Sequence, residues 1–119
     1  MHLLFKVRID TSLNMNKYER LINDLQATGT GTMKCFGNSM TPILNSGSLL
    51  TFESQADYEV GDIVFAKVRG RFIDAHKITQ KCPKRGYLIS NNKGYDNGWT
   101  MKIFGKALKA EYQGKEKSL

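Results

Sequence analysis

A serine stands in the middle of Gly37-Asn38-Ser39-Met40-Thr41-Pro42. A tight turn containing glycine can hold a hydroxyl outward, and an outward hydroxyl can attack a carbonyl if a base takes its proton. The backbone amides of Asn38 and Ser39 are the natural donors to the oxyanion that such an attack creates. Taken alone, the six residues fit a serine that merely closes its own turn just as well.

The surrounding order of motifs narrows the choice. After the serine turn come Leu44, Gly47 and Leu49-Leu50, then Tyr58, Val60-Gly61-Asp62-Ile63-Val64, then Ala75-His76-Lys77-Ile78, then Tyr87-Leu88-Ile89 with an Asn-rich turn. In that order and approximate spacing, residues 33–108 resemble the clan of serine peptidases that contains LexA-type autoproteases and type I signal peptidases. The resemblance implies a mainly β, LexA/signal-peptidase-like fold and makes Ser39 the nucleophile. Asp62, at the turn into a core strand, is read as structural.

Members of that clan divide over the general base. Repressors and bacterial signal peptidases use a lysine, and the archaeal and endoplasmic-reticulum type uses a histidine on a similar strand. The matching position here is His76, with Lys77 next to it. Neighbours on a strand point to opposite faces, so the two cannot both reach Ser39. A lysine base must first lose its charge, which takes strong burial, whereas an imidazole accepts a proton near neutral pH unaided. His76 is therefore the expected base. A histidine base needs an acceptor to hold its tautomer. The His-type relatives carry Gly-Asp-Asn after the next strand, whereas this chain has Ser90-Asn91-Asn92-Lys93-Gly94-Tyr95-Asp96-Asn97. Asp96 is the expected orienting carboxylate, and Asp74, two residues before His76, is the alternative.

Two features of those relatives are missing. No apolar membrane helix precedes the serine, and no Ala-Gly or Cys-Gly dipeptide, the usual self-cleavage bond, occurs in the sequence. The expected function is a serine endopeptidase acting on a cytoplasmic protein, which would be held as an extended strand along a sheet edge. The competing reading is a catalytically idle LexA-like fold that binds protein or nucleic acid. A weaker one is a stand-alone accessory piece, similar to UmuD-like proteins, that docks on a polymerase or repressor.

The elements that must position these residues are short. Leu3, Phe5, Val7 and Ile9 alternate weakly over residues 1–15. Tyr18, Leu21, Ile22 and Leu25 recur at helical spacing, and Asn16 with Glu19 has the form of a capping box. That predicts a helix ending near Ala27, followed by a Gly- and Thr-rich linker over 28–32. Strands are expected at 32–36, 49–52, 63–68, 72–79 and 87–90, with Arg69-Gly70-Arg71 as a hairpin turn. Residues 91–98 read as a loop, 103–104 and 107–108 as closing strands, and Gly114 to Leu119 as a frayed end. The division expected is an N-terminal strand, helix and linker over 1–32, a peptidase-like β domain over 33–110, and a basic tail over 111–119. A single helix is no helix-turn-helix, so a built-in DNA-reading head is not expected.

Bulk properties agree with one small domain. The chain has 119 residues, 40% hydrophobic and 24% charged, so it can build one modest core. Eighteen Lys and Arg against 11 Asp and Glu give a formal +7, so an acidic protein or a nucleic acid is an admissible partner through the basic surface. Basic residues do not interleave with aromatics as a base-stacking platform would require. The two cysteines, Cys35 and Cys82, form no CxxC pair, and with only two histidines neither a metal site nor a cofactor is expected. The apolar start, Met1 to Phe5, is broken by Lys6, Arg8 and Asp10, too soon for a signal-peptide core. The protein is thus expected in the cytoplasm, without a membrane partner.

Overall fold

The computed structural model describes residues 15–119, so the weak alternation at the N-terminus lies almost wholly outside the described residues. Among the described residues one helix, α1 (Lys17–Thr28), precedes eight strands: β1 (Thr30–Cys35), β2 (Ser48–Glu53), β3 (Ile63–Val68), β4 (Arg71–Cys82), β5 (Gly86–Ser90), β6 (Asp96–Thr100), β7 (Ile103–Tyr112) and β8 (Lys115–Ser118). The mainly β class with one helix near the N-terminus is the class expected from the sequence.

The helix is set by its ends. Asn16 accepts a hydrogen bond from the Glu19 amide at 2.9 Å, and its own amide donates to the Glu19 carboxylate at 3.1 Å. This capping box satisfies two donors that the first turn would leave bare. Gly29 stops the helix at φ 85°, its amide donating to the Leu25 carbonyl, a left-handed conformation that glycine adopts without a Cβ penalty. The expected linker is therefore short: residues 28–29 close the helix and Thr30 already opens β1.

The strands form one antiparallel sheet in the order β1-β2-β7-β3-β4-β5-β6. Strand β7 is long enough to serve two partners along one edge. Residues 103–106 pair with β3 and residues 109–112 with β8, while β2 runs along the other edge. The end expected to fray is thus a paired strand, and Leu119 packs against the core. At the other side the sheet curls until β6 meets β3: Thr100 Oγ1 donates to the Lys67 carbonyl at 2.6 Å, and Gly98 lies against Val68.

Strand β3 shows why the sheet needs two cores. Its run Ile-Val-Phe-Ala-Lys-Val sits centrally, and the pleat sends alternate residues to opposite faces. Phe65 joins Leu21, Leu25, Met33, Leu50, Phe52 and Ala107 in one cluster, while Val64, Ala66 and Val68 join Tyr58, Ile78 and Ile89 in the other. Helix α1 and strands β1, β2, β3, β4 and β7 share the first cluster.

Three irregularities matter for the site. Between Val64 and Ala66 of β3, strand β4 passes from His76 to Ile73, three residues against two. Between Ile89 and Ser90 of β5, strand β6 passes from Gly98 to Asp96, two residues against one. Strand β4 also carries one residue more than β5 between Ile78 and Gln80. Each extra residue is a β-bulge, which breaks the alternation of side chains and re-aims them.

Candidate active site

Ser39 lies in the loop between β1 and β2. Gly37 turns the chain at φ 111°, its amide donating to Ser46 Oγ at 2.9 Å, and Met40 is buried beneath the turn. The Asn38 carbonyl accepts from the Thr41 amide at 3.2 Å and from the Thr41 hydroxyl at 2.9 Å. From the opposite side Asn92, in the loop between β5 and β6, clamps the turn. Its amide donates to the Ser39 carbonyl at 2.9 Å, and its side-chain Nδ2 donates to the Thr41 carbonyl at 3.0 Å. Ser39 is thus held between a buried anchor and a polar clamp with its hydroxyl left for other use.

That hydroxyl meets His76 of β4. Ser39 Oγ and His76 Nε2 are 2.9 Å apart, within hydrogen-bond range. Lys77 diverges as strand geometry requires, its ammonium donating to Asn92 Oδ1 at 3.2 Å. The sequence-predicted pair is therefore brought together, and the lysine beside it supports the clamp.

Neither expected carboxylate hydrogen-bonds to the imidazole. Asp96 accepts from Ser90 Oγ at 2.7 Å, and Ser90 in turn shares a 2.7 Å bond with Thr79 Oγ1. Asp74 accepts from the Tyr18 hydroxyl at 2.6 Å and from the Lys17 ammonium at 3.2 Å. Each carboxylate lies at a bulge. Strand β4 carries an extra residue between Ile73 and His76, and Asp74, although it lines the same cavity as His76, is taken up by helix α1. The extra residue of β6 is Asn97, and its Oδ1 lies 2.7 Å from His76 Nδ1. Sequence reasoning passed over Asn97 because an asparagine in an Asn- and Gly-rich stretch reads as turn chemistry.

Burial is the main influence on His76 and holds its pKa below the ordinary 6.5, opposed by the hydrogen bond to Asn97 and the nearby charge of Asp74. The ring is therefore neutral at pH 7 and able to accept a proton. Cys35, close by, is buried, and burial followed by the Asp74 charge pushes its thiol up to about 12. It stays protonated and is a poor rival nucleophile. The amides of Asn38 and Ser39 donate to no acceptor among the described residues, which leaves both available for an oxyanion. A cavity of about 30 Å³ beside the serine is lined by Cys35, Met40, Leu44, Leu50 and Ala75 among others.

No described helix is long and apolar enough to cross a membrane. The sequence matches the family model described as Peptidase S24-like over residues 7–109. No curated protein matches it.

Proposed function

Because the chain belongs to the Peptidase S24-like family, we propose that it is a serine endopeptidase acting on a cytoplasmic protein, with Ser39 as nucleophile and His76 as general base. The observation that carries this reading is the 2.9 Å approach of Ser39 Oγ to His76 Nε2. The lowered pKa of the half-buried imidazole supports it further.

The chemistry follows from the roles. His76 Nε2 takes the Ser39 proton as Oγ attacks the scissile carbonyl carbon, and the oxygen that gains the electron pair faces the amides of Asn38 and Ser39. As the tetrahedral adduct collapses, the C–N bond breaks and the leaving amine takes the proton from the imidazolium. A water molecule, deprotonated by the same ring, then cleaves the acyl-Ser39 ester and frees the acid. The outer edge of β1 is unpaired among the described residues and leads directly to the serine loop, so it suits an extended peptide. The cavity beside the serine is small, about 30 Å³, which favours a small side chain next to the scissile bond.

The test is digestion of casein or a cell lysate by the native chain, by Ser39→Ala and by His76→Ala. The native chain is expected to cleave, and each variant to lose about 10²- to 10⁴-fold in rate. Equal activity in all three overturns the proposal.

A further inference from the structure

We infer that Asn97 is the positioning residue of this site, its side-chain oxygen fixing the imidazole of His76 in the tautomer whose Nε2 lone pair faces Ser39. The catalytic consequence rests on the peptidase reading above; the tautomer itself does not.

An amide oxygen only accepts hydrogen bonds. With Asn97 Oδ1 at 2.7 Å from His76 Nδ1, Nδ1 must carry the ring proton, and a neutral ring then leaves Nε2 bare. The Ser39 hydroxyl donates across its 2.9 Å contact to that bare nitrogen, which is the arrangement a base needs before attack. The opposite tautomer would turn Nε2–H toward Ser39 and remove the base.

The chain fixes Asn97 on both sides. Asp96 is held by Ser90 Oγ. Gly98, at φ 135°, packs so closely that a Cβ would come within 3.1 Å of Val68 Cγ1. Between these anchors Asn97 is the residue that the ladder leaves over, so its side chain is free of the in-out alternation and reaches toward β4. The carboxylate one position earlier is a strut of β6.

The orienting group is also uncharged, which separates this site from one built on a carboxylate. Around the ring stand Ser39 from the β1–β2 loop, Asn97 from β6, and Asp74 from β4, the last held by Lys17 and Tyr18 of α1. Cys35 of β1 lines the same cavity as the ring and is protonated. Replacing Asn97 by Asp adds a negative charge directly on Nδ1–H and raises the midpoint at which the ring protonates.

The experiment uses the full chain with ¹⁵N-labelled histidine. The chain has two histidines, so the spectrum contains two imidazoles, and His76→Gln identifies the one of interest. At about pH 7.5 the ring of His76 is expected with Nδ1 protonated and Nε2 bare. Asn97→Ala is expected to give a mixture of tautomers and to lower kcat on casein by about 10- to 100-fold, with KM nearly unchanged. Asn97→Asp is expected to restore the Nδ1 proton and shift the midpoint upward. A proton on Nε2 in the native chain, or an unchanged tautomer in Asn97→Ala, overturns the inference. If the tautomer behaves as stated but no Ser39-dependent cleavage is found, the positioning role stands and the peptidase reading falls instead.

Discussion

The imidazole of His76 binds its proton less readily in the folded chain than in the unfolded one, because burial outweighs the help of Asn97 and Asp74. Two consequences follow at the scale of this residue. Cleavage should still run at more than half of its plateau rate at pH 6.5, so the acidic half-point of kcat/KM should lie under that value. For stability the direction is the same. The contribution of the neutral ring is complete above the unfolded pKa and is lost as pH falls through the lower folded one, since the unfolded chain then binds more protons. Thermal melts of the native chain and His76→Gln across pH 4.5 to 8 (about that range) should show a Tm difference that is constant at the top and changes against the native chain in acid. Among the site residues Ser39 was legible only through the order of motifs around it, since its own glycine turn fits a structural serine equally well. His76 was legible through the same resemblance, since a lone histidine on a strand would read as structural. Asn97 was not: a histidine base is ordinarily oriented by a carboxylate, and one extra residue in β6 gives the contact to the neighbour of Asp96.

Helix α1 is tied to the sheet by more than apolar packing. Tyr18 stacks on Phe72 with ring centres 4.7 Å apart and donates its hydroxyl to Asp74 at 2.6 Å. Tyr18→Phe keeps the stack and removes the bond, leaving the Asp74 carboxylate to Lys17 alone. It should cost about 1–2 kcal/mol in urea unfolding with an unchanged m value. At this scale the hairpin β3–β4 was readable, because an apolar run, Arg69-Gly70 and a second run leave few alternatives. Arg69 and Gly70 do take the left-handed turn, at φ 52° and 78°. Strand β6 was not readable, since Asp-Asn-Gly at its start is turn composition and only Trp99 and Thr100 favour a strand. Strand β8 reads Lys-Glu-Lys-Ser and is exposed throughout, so it has no apolar face to reveal it. Strand β8 pairs with the free edge of the longer β7, and β6 pairs with the free edge of β5.

For the whole molecule, the decisive fact is that one core spans the expected segment boundary. Leu21 and Leu25 of α1 are buried against Met33, Leu50 and Ala107. Removing residues 1–32 would uncover that face, and the loss of even one such leucine to alanine costs about 2–5 kcal/mol. A chain starting at residue 33 should therefore show no cooperative thermal transition by circular dichroism, whereas the full chain should. The extent of the β fold was visible from the number and spacing of apolar runs. The way it closes was not, because curling β6 onto β3 depends on contacts such as Thr100 to Lys67 that join residues distant in sequence and leave no local pattern.

Asn92 spends its own amide hydrogen on the Ser39 carbonyl and its side chain on Thr41 and Lys77. The exchange of that one hydrogen with deuterated solvent is consequently a native sensor of the Ser39 loop, read without any label. Trapping an acyl group on Ser39 should alter the exchange rate at Asn92 while that of Ile89, in the core, stays as it was. An exchange rate at Asn92 indifferent to acylation would mean that the clamp and the hydroxyl move independently.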